Sequence, residues 1–115
     1  MRIDVKGRNV AVGDELRDRI EKRFEKIGRQ VSDLAQLDVE LFEERNPSIR
    51  ERCVAEATLH LKGVTLRAHA AADNMTSAIH EISDDLGRQV KRHRDKRRRR
   101  RETAKAAEAR PAASP

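Results

Sequence analysis

Basic side chains are concentrated in one short segment of this chain, between residues 88 and 101. Ten of these fourteen residues are Lys or Arg, and Asp95 is the single acid among them. Residues 1–87 hold 14 bases and 17 acids, whereas residues 88–115 hold 12 bases and 3 acids. The net charge of +6 therefore comes from the C-terminal part of the chain. Separated charge of this kind is typical of proteins that bind a polyanion, because clustered ammonium and guanidinium groups attract phosphates.

The segment that carries these bases has helical spacing. Its apolar residues recur at intervals of four, three, four and four, which predicts a helix from Asp73 or Asn74 to at least Val90: Met75, Ile79, Ile82, Leu86 and Val90. The bases predicted to bind nucleic acid on it are Arg88, Lys91, Arg92 and Lys96. Of these, Arg88, Arg92 and Lys96 stand at i, i+4 and i+8 and predict a ridge along a phosphate backbone. Bases near a helix C-terminus also complement the helix dipole, but that effect fades within about one turn.

An earlier helix carries a second set of bases. After Gly13 the apolar residues again follow helical intervals: Leu16, Ile20, Phe24, Ile27 and Val31. Acids flank this apolar stripe on one side, and Arg23, Lys26 and Arg29 flank it on the other. A solvated helix with i,i+4 ion pairs, each worth about 0.3 kcal/mol, is the alternative interpretation. Such helices usually interleave opposite charges, so the sorting favours a flank that faces phosphates.

Four segments of alternating polarity predict strands with one buried face. They begin near Ile3, Leu37, Cys53 and Val64, and Gly63 marks a tight turn between the last two. The predicted order is β-α-β-β-β-α, an α+β domain in which two helices pack on one face of a four-stranded sheet. We assign this domain to residues 1–97. Residues 98–115 are predicted to be a basic tail or linker that contains Ala and Pro and is disordered, because their composition cannot form a core.

Other kinds of site are poorly supported by the sequence. The chain holds one cysteine, Cys53, which is predicted to be a buried small hydrophobic residue. His60 and His69 are predicted to share the open face of the sheet, but they lack further ligands at metal-binding spacing. No phosphate-binding glycine loop or nucleophile motif is present, so we expect no enzyme, no cofactor, no metal and no small-molecule substrate. Neither a membrane span nor a signal peptide is expected, and the predicted location is cytoplasmic.

Four segments of the chain carry a resemblance to a known family. They are IDVKGRN at residues 3–9, VAEATL at 54–59, DNMTSAI at 73–79 and DLGRQVK at 85–91. In their order and spacing they resemble the ribosome hibernation promoting factor family, which includes the ribosome-associated inhibitor. The resemblance covers residues 1 to about 97. It agrees with the element order that the hydrophobic pattern predicts.

This resemblance implies a function without chemistry. It implies a domain that binds the small ribosomal subunit through ribosomal RNA, occupies the mRNA and tRNA channel and so blocks translation. The RNA-binding residues that it implies are Arg23, Lys26 and Arg29 on the first helix and Arg88, Arg92 and Lys96 on the second. Long members of the family pair ribosomes through a second domain, so ribosome dimerisation is expected only if such a domain follows.

Two other functions remain open at this point. A general double-stranded-RNA-binding module has an α-β-β-β-α order nested within the predicted one, but it places lysines where this chain has Asp73 and Asn74. The other alternative is a protein-interaction domain whose Arg-rich tail binds an acidic partner. An RNA-binding sheet with stacking aromatics is disfavoured, since the whole chain contains two Phe, no Tyr and no Trp.

Overall fold

The computed structural model describes residues 1–109 and contains six elements. They follow in the order β1 (Arg2–Arg8), α1 (Asp14–Gly28), β2 (Gln36–Glu43), β3 (Cys53–Leu61), β4 (Val64–Ala72) and α2 (Met75–Ala109). The predicted β-α-β-β-β-α order is therefore confirmed. β1 is longer than its hydrophobic pattern suggested, because Gly7 and Arg8 continue the ladder opposite Leu41 and Phe42.

The four strands form one sheet in the order β1-β2-β3-β4. β1 pairs with β2 in parallel, and the other two pairings are antiparallel. A parallel pair needs a crossover connection, and α1 supplies it between β1 and β2. Leu61 pairs with Val64, so Lys62 and Gly63 form the two-residue turn between β3 and β4. Gly63 has a φ of 79°, a conformation that glycine adopts without steric cost.

Both helices cover the same face of the sheet, as the alternation predicted. The largest fully buried side chains come from both layers: Phe24 and Ile20 of α1, Leu37, Leu41 and Leu59 of the sheet, and Ile79, Ile82 and Leu86 of α2. Small residues line β4, where Ala68, Ala70 and Ala72 are buried. Their lack of bulk lets α2 lie close to this edge of the sheet. The opposite face of the sheet is polar.

α2 begins with a side-chain cap and extends further than the sequence predicted. Asn74 Oδ1 accepts a hydrogen bond from the backbone N–H of Ser77 at 2.8 Å, which satisfies a free donor of the first turn. At the other end the helix continues through the arginines to Ala109, where a disordered segment had been predicted from residue 98. Arg, Lys, Glu and Ala are strong helix formers, and neither Gly nor Pro occurs between residues 88 and 109.

This extension is an exposed helical arm rather than part of the core. All side chains from 96 to 106 are exposed, so the arm is held by helix propensity and not by packing. The remainder of the predicted tail, residues 110–115, lies outside the described residues. The domain boundary at residue 97 stays a prediction.

Candidate nucleic-acid interface

A basic cleft runs between α1 and α2 on the helical side of the domain. Its volume is about 870 Å³. Six cationic side chains line it, against one acid, Asp84: Lys22, Arg23, Lys26, Arg88, Lys91 and Arg94. Bases from two helices thus converge on one concave surface, which is the geometry that an extended polyanion requires.

Arg23 has a fixed position in this cleft. Its Nε donates to Oγ of Ser83 and its Nη2 to Oδ1 of Asp84, both at 2.8 Å. Ser83 is itself buried and donates to the carbonyl oxygen of His80 at 2.8 Å. The side chain of Arg23 keeps only 35% exposure. Arg23 therefore joins the two walls of the cleft, and Asp84 offsets part of its charge.

Four of the seven predicted RNA-binding residues lie together in this cleft. Arg23 and Lys26 come from α1, and Arg88 and Lys91 come from α2. Arg29 does not line it; its Nη2 instead forms an ion pair with Glu25 Oε1 at 2.6 Å, on the exposed surface of α1.

The predicted ridge on α2 is split by the turn of the helix. Arg88 lines the cleft, but Arg92 and Lys96 lie on the other flank of α2, in a shallow depression beside Leu66 of β4. Each step of four residues rotates a side chain by about 40° around an α-helix, so two steps move it by about 80°. The i, i+4, i+8 spacing therefore starts on one flank and ends on the other.

Two cationic residues of the cleft, Lys22 and Arg94, were missing from the predicted set. Lys22 stands four residues before Lys26, and Arg94 stands three residues after Lys91, so both repeat the helical spacing of a predicted residue. That spacing was the signal that could have found them. Gln30, just beyond the end of α1, was missed as well: its Oε1 accepts a hydrogen bond from Arg94 Nη1 of α2 at 3.2 Å, at one end of the cleft.

Gly87 also lines the cleft, and its missing side chain leaves space there. A Cβ atom built at this position would meet nothing within 4 Å. Glycine costs roughly 0.5–1 kcal/mol relative to alanine inside a helix, and the φ of Gly87 is not positive, so the backbone does not require glycine here. The open volume of the cleft is the structural feature that this glycine preserves.

The open face of the sheet pairs its charges internally. His60 Nε2 lies 3.1 Å from Asp38 Oδ2, and His69 Nε2 lies 3.7 Å from Glu56 Oε1. Phe42 is the aromatic residue of this face, and the Arg8 guanidinium lies over its ring, 4.6 Å from the centroid. Since Arg8 already covers that ring face, Phe42 is not a free stacking platform there.

Cys53 shows no sign of activation as a nucleophile. Partial burial raises the pKa of its thiol, and the nearby carboxylate of Glu43 raises that pKa further. Both effects favour the neutral thiol, whereas reactive cysteines need a stabilised thiolate. Within residues 1–109, no group of three or more His, Cys, Asp or Glu side chains could hold a metal ion. In the same range, no helix combines the length and the apolar character needed to cross a membrane.

Comparison with known proteins identifies the family. The sequence model of the family described as "Sigma 54 modulation protein / S30EA ribosomal protein" matches residues 3–98. The chain belongs to this family. A Salmonella typhimurium member, named ribosome hibernation promoting factor, is 32% identical over 96 residues, which cover 84% of this chain and 96% of that protein. The resemblance inferred from the sequence is therefore confirmed.

Other members of the S30EA family differ in length. A Picosynechococcus protein named ribosome hibernation promotion factor is 29% identical over 97 residues, which cover 84% of this chain but only 50% of that protein. This chain therefore matches about half of that relative. Among solved structures, the N-terminal domain of Thermus thermophilus Protein Y has a TM-score of 0.69 at 28% identity, covering 81% of this chain and 99% of that one. A Coxiella burnetii ribosomal subunit interface protein, at 19% identity and a TM-score of 0.68, shares the fold.

Proposed function

We propose that this protein silences translation by binding the small ribosomal subunit through ribosomal RNA. It occupies the channel for mRNA and tRNA and prevents both from binding. The observation that carries this proposal is the convergence of six cationic side chains from α1 and α2 on one cleft, in a member of the S30EA family. Occupancy of the channel is sufficient for inhibition, so no catalytic group is needed.

The cleft is proposed to hold a segment of RNA backbone. Phosphate contacts made by Lys and Arg supply affinity and position, and they do not depend on base sequence. Arg23 connects the two walls of the cleft through its bond to Asp84, and Lys26 and Lys91 on either side would reach the phosphates. Arg92 and Lys96, on the flank beside β4, would contact a second stretch of RNA. Arg29 contributes least in this scheme, since Glu25 already pairs with it.

The main test combines translation with ribosome binding. Purified protein at stoichiometric concentration should inhibit translation in vitro, and it should cosediment with small subunits at salt concentrations that release it from bulk RNA. Unchanged translation, or binding to ribosomes no tighter than to bulk RNA, would falsify the proposal. Removal of residues 98–115 tests whether the arm alone is responsible. We expect the shortened protein to retain ribosome binding, and complete loss would assign binding to the arm and tail.

The double-stranded-RNA-binding alternative finds less support in the structure. Such a module needs lysines that meet phosphates at the N-terminus of its last helix. Here Asn74 caps that terminus and Asp73 precedes it. A direct comparison of affinity for an RNA duplex and for small subunits separates the two functions, with tighter binding to the subunit expected.

A further inference from the structure

A second cavity lies at the end of the sheet, next to the point where α2 leaves the core. Its volume is about 510 Å³, within the range of ligand sites. Its aliphatic lining comes from the α1–β2 connection, the β3–β4 hairpin and α2: Val31, Leu34, Ala35, Leu61 and Val90. Leu34 is 94% exposed, the largest exposed fraction among the large hydrophobic residues of the described chain. This end of the domain therefore presents an uncovered apolar surface.

The exposure of Leu34 is a property of an ordered turn. Ser32 Oγ accepts a hydrogen bond from the backbone N–H of Leu34 at 3.1 Å, and Ser32 O accepts one from Ala35 at 3.0 Å. The carbonyl oxygen of Ala35 in turn accepts a hydrogen bond from Arg2 of β1 at 2.8 Å. The turn is thus fastened to the sheet while the Leu34 side chain faces solvent. The backbone that carries Leu34 is already ordered, so a docking partner would need to order only its side chain.

The rim of the cavity is cationic. Lys62, Arg94 and Arg97 supply positive charges, and His60 and His93 line the cavity beside them. Within the described chain no Asp or Glu lines the cavity; Asp33, although next to Leu34 in the turn, is not a lining residue. An occupant that complements this surface carries acidic groups around an apolar centre.

The lining favours a peptide over an RNA base. RNA bases stack on aromatic rings and on guanidinium planes, and the groups of that kind here, His60, His93, Arg94 and Arg97, belong to the basic rim. The rest of the lining is largely aliphatic, and in the described structure it contains no Phe, Tyr or Trp. An aliphatic surface instead suits a bulky apolar side chain, and the basic rim suits neighbouring carboxylates. We infer that this cavity docks an acidic peptide segment of a protein partner, with an apolar side chain inserted beside Leu34.

This site is distinct from the RNA-binding cleft, although the two share a wall. Gln30 and Arg94 line both cavities, and the hydrogen bond between them separates the two. The inference does not depend on the proposed function. It can be tested on the free protein, without ribosomes.

Two fluorescent peptides provide the test, measured by anisotropy. One is a blocked hexapeptide with two central Phe between pairs of Glu, and the other has Ser in place of both Phe. Because burying a large apolar side chain is worth at least one factor of ten in binding, the Phe peptide should bind about tenfold more tightly. Leu34→Ser should remove most of that difference in affinity. Because Leu34 is exposed, the substitution should leave the protein folded, and circular dichroism checks this.

Charge variants at the rim complete the test. Arg97→Glu should weaken the Phe peptide severalfold more than Arg99→Glu does, since Arg97 lines the cavity and Arg99 does not. Equal binding of the Phe and Ser peptides, or unchanged binding to the Leu34→Ser variant, would overturn the inference. The inference would also be overturned if a single-stranded RNA hexamer bound the wild-type protein but not the Leu34→Ser variant, because the cavity would then be an RNA-binding site.

Discussion

Arg23 of α1 donates a hydrogen bond from Nη2 to Oδ1 of Asp84 of α2 at 2.8 Å, across 61 residues of sequence. The same guanidinium reaches Ser83, so one side chain connects the two helices at two points. A predicted RNA-binding residue thus also determines the geometry of the surface around it. Any contribution of Arg23 to RNA binding must therefore be measured separately from its structural contribution.

The first prediction concerns the stability of this contact. Arg23→Ala should lower the free energy of unfolding by about 1–2 kcal/mol, because it removes two hydrogen bonds from the guanidinium: a part-buried one to Ser83 and an exposed one to the Asp84 carboxylate. Urea denaturation measures the change. Arg19→Ala, on an exposed part of the same helix, is the matched control and should stay within about 0.5 kcal/mol of wild type. In a double-mutant cycle with Asp84→Ala, coupling near zero would show that the ion pair contributes nothing.

The second prediction concerns the number of phosphate contacts in the cleft. Lys26→Gln and Lys91→Gln should each reduce the salt slope of ribosome binding by roughly 0.7–0.9, the change expected for one lost phosphate contact. Cosedimentation across a salt series measures the slope. Arg29→Gln serves as the control on α1, and its effect should be smaller because Glu25 pairs with Arg29. An equal or larger change for Arg29→Gln would contradict the assignment of the cleft as the primary site.

The third prediction separates the stability of α2 from the openness of the cleft. Gly87→Ala should raise the free energy of unfolding by roughly 0.5–1 kcal/mol, since alanine is the better helix former and its Cβ meets no neighbour. Gly87→Glu should also give a folded protein, but it should weaken ribosome binding because a carboxylate would project into the basic cleft. Thermal unfolding and cosedimentation of both variants provide the check. Wild-type binding by Gly87→Glu would show that RNA does not enter the cleft.

The fourth prediction concerns the thiol of Cys53. Burial raises its pKa, so at any pH near neutrality it holds less thiolate than an unperturbed cysteine. Alkylation by iodoacetamide should be slower in the folded protein than in the protein unfolded by urea. The raised pKa also makes the free energy of unfolding depend on pH. The stabilising contribution of the neutral thiol is present below the ordinary pKa of a thiol, and it is lost as the pH rises through the raised pKa. Faster alkylation of the folded protein would contradict this direction.

Local periodicity was enough to predict the elements of this fold. Intervals of three and four gave α1 and the first half of α2, and alternation gave the strands with their buried faces, because solvent exposure on one side imposes these periods. The prediction that the chain is disordered from residue 98 was wrong for residues 98–109, which are helical. The apolar stripe stops near Val90, but residues 98–109 need no core to remain helical, since helix propensity acts without packing.

The candidate site shows what a sequence determines and what it leaves to the tertiary structure. The residue types, their charge and their sorting along each helix were enough to predict a basic surface suited to a polyanion. Only the packing of α1 against α2 decided which bases lie together, because a cleft depends on the relative position of two helices whose contacting residues are some sixty positions apart in sequence. That packing placed Lys22 and Arg94 with Lys26 and Lys91, and it directed Arg92 and Lys96 to the opposite flank of α2. The spacing of residues along one helix determines the angle at which each side chain leaves the helix axis. The position of the neighbouring helix determines which of those side chains face a common surface.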